Sequence, residues 1–112
     1  MSSDEPKSSE DTRLYRLTPR ALDDLDDIWR FSAETWSIKQ ADHYIDELVR
    51  IFETIAIMPT LARERNEFTP PVRIHPHESH LIIYTIEADH IAVLRLLSGQ
   101  QDWISILKAA DL

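Results

Sequence analysis

Four side chains in the second half of the chain, Arg73, His80, Tyr84 and Arg95, bring the ingredients of phosphodiester chemistry. Guanidinium groups hold phosphate oxygens through charge-assisted hydrogen bonds, and an imidazole or phenol can move a proton. Gathered in one patch, they would suit RNA cleavage. A structural reading outweighs this one: one arginine per strand paired with a nearby acid, and Tyr84 as an amphipathic core residue. His75, His77, Glu78 and His80 form the densest set of nitrogen and oxygen donors. Alternate strand residues share a face, so His75 and His77 could reach one cation. Pro76 between them and the lack of an obvious fourth donor argue against it. His77-Glu78-Ser79-His80 is also one residue short of the helical zinc-protease spacing. No metal is expected, and these groups read as hydrogen-bonding loop and strand residues or a pH-sensitive contact.

Asp23, Asp24, Asp26 and Asp27 suggest magnesium ligands at first sight. Early helical turns favour negative charge, however, and Arg20 to Asp24 and Asp26 to Arg30 have the four-residue spacing of helix ion pairs. A solvated helix face is the expectation. Trp29, Trp36 and Trp103 are expected to pack in the core and the hairpin rather than to stack on bases.

The elements that must position these groups follow from the pattern. The chain has 112 residues, 20 acidic and 12 basic, with a net charge of -8 and no cysteine. That length suits one domain, and the missing thiols exclude disulfides and cysteine-based zinc sites. A single glycine argues against a glycine-rich phosphate loop. Residues 1–13 carry no apolar stretch and read as a disordered acidic tail, leaving 14–112 as the domain. With neither a secretory signal nor a membrane-spanning run, a cytoplasmic location is expected.

Leu14 to Leu17 has strand-like composition, and Thr18-Pro19 then provides a cap and a first-turn proline. Leu22, Leu25, Ile28, Trp29 and Ser32 recur at helical spacing. A second helix starts at Ser37, with Ala41, Tyr44, Ile45, Leu48, Ile51, Phe52 and Ile55 on one face, and Pro59 stops it. The short break predicts an antiparallel helical hairpin. Thr60 to Pro71 reads as irregular. Val72 to Ile74 is a short strand that Pro76 confines to an edge or strand end. His80 to Ile86 and Ile91 to Leu97 form a strand pair, apolar at nearly every position and so covered on both faces. Trp103 to Leu107 allows a short C-terminal helix. The fold class is therefore α+β: a helical hairpin packed on an antiparallel β-sheet, in the order β-α-α-β-β-β.

The stretch from Tyr15 to Leu107 resembles the ParE branch of the ParE/RelE toxin superfamily of bacterial type II toxin–antitoxin systems. The resemblance is carried by Leu17-Thr18-Pro19-Arg20-Ala21 with Asp24 to Ile28, and by Trp36, Gln40-Ala41, Tyr44 and Met58-Pro59. Arg73, Ser79 to Tyr84, Ile91 to Leu97 and Gln101-Asp102-Trp103 complete it. It implies the RelE/ParE-like fold, a ParD-like antitoxin as partner in a hetero-oligomer, and DNA gyrase as target, with no cofactor and no catalysis. RelE-type members instead cleave messenger RNA in the ribosome. This chain has Ser98 where His is frequent, Thr85 where Arg is frequent, and Gln100 where a basic residue is frequent.

Three readings follow. The first is a gyrase-inhibiting toxin that works by protein binding. The second is a RelE-like endoribonuclease using Arg73, His80, Tyr84 and Arg95; the third is an antitoxin-binding member without toxicity. The same four residues, with Trp103, are the candidates for contact with target or antitoxin. Up to residue 60 there are 13 acidic and 7 basic side chains, against 7 and 5 beyond it. The acidity thus belongs mainly to the tail and hairpin. It opposes docking on ribosomal RNA, so direct nucleic-acid binding is not expected.

Overall fold

Thr18 and Ser37 start the two long helices by the same local chemistry. In the computed structural model, which describes residues 14–109 and Leu112, Thr18 Oγ1 accepts from the Ala21 amide at 3.1 Å. Ser37 Oγ accepts from the Gln40 amide at 3.0 Å. Each cap satisfies an amide that the first helical turn leaves without a partner. Helix α1 spans Pro19–Thr35 and α2 spans Ile38–Ile57. Only Trp36 and Ser37 separate them, so they fold back as the expected hairpin, tied by Trp29 Nε1 donating to Asp42 Oδ1 at 2.8 Å. The expected tail, residues 1–13, lies outside the described residues.

The sheet has five strands: β1 Tyr15–Leu17, β2 Glu64–Arg65, β3 Val72–His77, β4 His80–Ile86 and β5 Ile91–Ser98. Their order is β1-β5-β4-β3-β2. All neighbours are antiparallel except β1, which pairs parallel to β5 with Tyr15 opposite Ile91. The α+β hairpin-on-sheet class is as expected, and two features add to it. One is the parallel pairing; the other is β2, two residues inside the segment read as irregular. β3 also runs on through Pro76. Only Arg73 and Val72 face β2, so Pro76 sits where β3 has no outer neighbour and a missing N–H costs nothing.

Both faces of the central strands are covered. On one face, Ile82, Tyr84, Ile91, Val93 and Leu96 pack against Ile28, Leu48, Phe52 and Ile55 of the hairpin. On the other, Ile83 and Leu97 join Val72, Phe68 and Leu107 of a short helix, α3 Trp103–Lys108. A register shift makes this possible. Ile83 faces Arg95 and Tyr84 faces Val93, so Leu94 has no opposite residue and the alternation of β5 slips by one.

Two residues expected inside lie outside. Leu22 is 54% exposed, and the neighbouring Ala21 is fully buried in its place. Spacings of three and four fit either position, and the small methyl lets the start of α1 approach the core closely. Trp36, expected to pack, is 73% exposed at the hairpin tip. Among the described residues no helix is long and apolar enough to cross a membrane.

Candidate functional site

The four residues that suggested phosphodiester chemistry do not converge. Arg73 and Tyr84 face each other across β3 and β4, and both serve the chain that leaves α2. Tyr84 Oη donates to the Pro59 carbonyl at 2.8 Å and accepts from the Ala62 amide at 3.4 Å. Arg73 Nη1 donates to the Ala62 carbonyl at 2.7 Å. Burial raises the Tyr84 pKa, only partly opposed by the Ala62 amide and Arg73, which keeps the phenol neutral.

Arg95 is taken up by Asp24. Its Nε and Nη2 donate to the two carboxylate oxygens at 2.7 and 3.1 Å, and the Leu96 amide donates to the same carboxylate at 2.9 Å. Asp24 is thus set apart from the solvated face on which it was expected. Asp26 and Asp27 do form that face, with Arg30 at 3.5 and 3.3 Å. Trp103 lies against Phe68, ring centroids 6.4 Å apart, and anchors α3.

His80 is the candidate that reaches an open surface. It begins β4, and its Nδ1 lies 2.8 Å from Tyr44 Oη on α2. Burial lowers the His80 pKa, as does the neighbouring His77, against a weaker opposite effect of Asp24. Tyr44 is pushed up to about 12, first by burial and then by the Glu78 carboxylate. Tyr44 Oη also donates to the His77 carbonyl at 3.5 Å, so the phenol links the first residue of β4 to the last of β3.

Around this pair runs a groove of about 650 Å³ between Phe31, Trp36 and Tyr44 of the hairpin and Glu78, Ser79 and His80 of the β3–β4 turn. Phe31, Ser79 and His80 also line an adjoining recess of about 490 Å³, which continues past Asp24 and Asp27 to Leu96 and Ser98. Phe31 and Trp36 expose 67% and 73% of their surface. Among the described residues no lysine or arginine lines either recess, whereas Asp24, Asp27 and Glu78 do. An apolar, acid-rimmed groove suits a peptide segment with apolar anchors better than a phosphate backbone.

The three unusual positions are occupied by turn chemistry. The Ser98 amide donates to Gln101 Oε1 at 2.7 Å, and the Gln100 amide donates to Ser98 Oγ at 3.1 Å. Thr85 Oγ1 donates to Glu87 Oε2 at 2.7 Å. Sequence reasoning missed Phe31, Trp36 and Tyr44 as groove residues. Their one signal was large aromatic side chains gathered at the two ends of a two-residue helix break.

Fold and groove together define a small α+β protein of the RelE/ParE-like arrangement, with its open aromatic surface at the hairpin tip. Residues 15–103 match the family model described as the ParE toxin of the type II toxin-antitoxin system, parDE. The chain is 34% identical over 83 residues to Toxin ParE1 of Caulobacter vibrioides, covering 74% of this chain and 85% of that protein. It is 30% identical over 89 residues to Toxin ParE1 of Mycobacterium tuberculosis, covering 79% and 91%. A solved chain described as "Chromosomal ParDE TA system from P. aeruginosa" shares the fold, with a TM-score of 0.66 and 19% identity over 75% of this chain and 92% of that one. The chain belongs to the ParE toxin family.

Proposed function

We propose that this protein is the toxic component of a type II toxin–antitoxin system and acts in the cytoplasm by binding DNA gyrase, without catalysis. A ParD-like antitoxin neutralises it in a hetero-oligomer by laying an apolar segment into the groove between Phe31, Trp36 and Tyr44 and the β3–β4 turn. The observation that carries the non-catalytic reading is the lining of that groove and its adjoining recess: Glu78 in the first, Asp24 and Asp27 in the second, a His80 whose pKa burial lowers and, among the described residues, no lysine or arginine. Ribonuclease chemistry needs cations for the phosphate and a free proton carrier. Arg73 and Arg95 are instead committed to Ala62 and Asp24.

A supercoiling assay with purified gyrase tests the target, and inhibition at micromolar toxin, relieved by antitoxin, is expected. Undiminished supercoiling overturns the gyrase assignment. Primer extension on translated messenger should show intact transcripts; new ribosome-dependent ends would restore the endoribonuclease reading. Expression without antitoxin should arrest growth, and unimpaired growth would leave an antitoxin-binding protein without toxicity.

A further inference from the structure

Glu47 on α2 and His77 and Glu78 at the β3–β4 turn bring an imidazole and two carboxylates to one point, with donor atoms all within 4.8 Å of one another. His77 Nε2 lies 3.4 Å from Glu47 Oε1 and 3.9 Å from Glu78 Oε2. His43, one helical turn before Glu47, places its Nε2 3.1 Å from the other Glu47 oxygen. Donors about 2.0–2.2 Å from a tetrahedral Zn²⁺ stand roughly 3.3–3.5 Å apart, so the 3.4 Å between His77 and Glu47 is already that of two ligands on one ion. The exposed Glu78 side chain can swing to close the remainder.

Two further observations agree. Glu78 is the one described non-glycine residue with left-handed backbone, φ 54°, a conformation that costs about 1 kcal/mol or more for an L side chain. It occupies a two-residue hairpin turn, since His77 pairs with His80. Tyr44 stacks on the His77 ring, centroids 5.9 Å apart, and holds that imidazole at the cluster.

The geometry points to a Zn²⁺ site formed by Glu47, His77 and Glu78, with a position left for water, which staples α2 to the β3–β4 turn. Mixed imidazole and carboxylate donors select borderline first-row ions over Mg²⁺ and Ca²⁺, which prefer all-oxygen shells. The site is independent of the toxin reading, and its test needs neither gyrase nor antitoxin.

Untagged protein titrated with Zn²⁺ against a chromophoric chelator is expected to take up a single ion in the micromolar range. Loss of even an outer-shell partner weakens metal sites by about tenfold or more, so His77→Ala should cost at least that. The near-isosteric Glu47→Gln should do the same, which keeps the test valid if His77→Ala fails to fold. His75→Ala and His90→Ala should bind like the parent. Co²⁺ should give the visible absorption of a four-coordinate ion, lost in Glu47→Gln. No saturable uptake in the micromolar range, or uptake unchanged by Glu47→Gln, overturns the site.

Discussion

Asp24 of α1 and Arg95 of β5, 71 residues apart, form a two-pronged ion pair at 2.7 and 3.1 Å whose carboxylate also receives the Leu96 amide. Both side chains are nearly buried, at 13% and 11% exposure. The pair fastens the hairpin to the strand at the point where its register slips.

Breaking such a pair strands a buried charge. Asp24→Ala should therefore destabilise the protein by about 3–5 kcal/mol, while the apolar double replacement Asp24→Leu with Arg95→Met recovers most of that loss. Urea unfolding of both variants measures this. An Asp24→Ala midpoint close to that of the parent would mean that water screens the pair.

Tyr84→Phe removes the hydroxyl that holds Pro59 and Ala62 while leaving the buried ring in place. A loss of about 1–2 kcal/mol is expected. Hydrogen exchange should accelerate at Ala62 more than at amides in the middle of β4, and uniform acceleration would argue against a local fastening role.

Trp36 is exposed, so Trp36→Ala should change folding stability by no more than about 0.5 kcal/mol. If the antitoxin fills the groove, the same change should weaken the complex by about 2 kcal/mol, roughly thirtyfold. Calorimetric titration with antitoxin decides, and unaltered affinity would place the antitoxin elsewhere.

Tyr44 gives stability an alkaline dependence. Its pKa is about 12 in the folded protein against an ordinary 10, so the unfolded chain ionises first. The resulting contribution is complete below pH 10 and is lost as pH rises towards about 12. Urea midpoints should fall across that window in the parent and fall less in Tyr44→Phe. Parallel decline in the two proteins would assign the effect to other groups.

Much of the architecture was legible because it is local. Thr18, Pro19, Ser37 and Pro59 punctuate the helices through capping and ring geometry that depend on immediate neighbours. The continuous apolar runs of β4 and β5 announced a sheet covered on both faces, which the two core clusters bear out. Leu22 was misplaced because helical spacing defines a stripe but not the neighbour it meets. Asp24 looked like Asp23, Asp26 and Asp27 because its distinguishing partner is on β5. The slip at Leu94 has no sequence mark, so the faces of Arg95 and Leu96 could not be read by alternation. Tyr44 and His80 meet across 36 residues, and the groove they line had no motif of its own.

The parallel seating of β1 beside β5 has a consequence for synthesis. Tyr15 to Leu17 find their strand partners at Ile91 to Val93, and the Thr18 hydroxyl donates to the Leu94 carbonyl. The hairpin therefore leaves the ribosome well before the strand that locks it, with the apolar stripe of α1 and α2 still lacking half its cover. Leu96 and Ser98, which close the recess beside His80, arrive later still. A chain interrupted before β5 is thus material for chaperones and proteases rather than a partly active toxin, and the groove comes into being only once translation has passed Ser98.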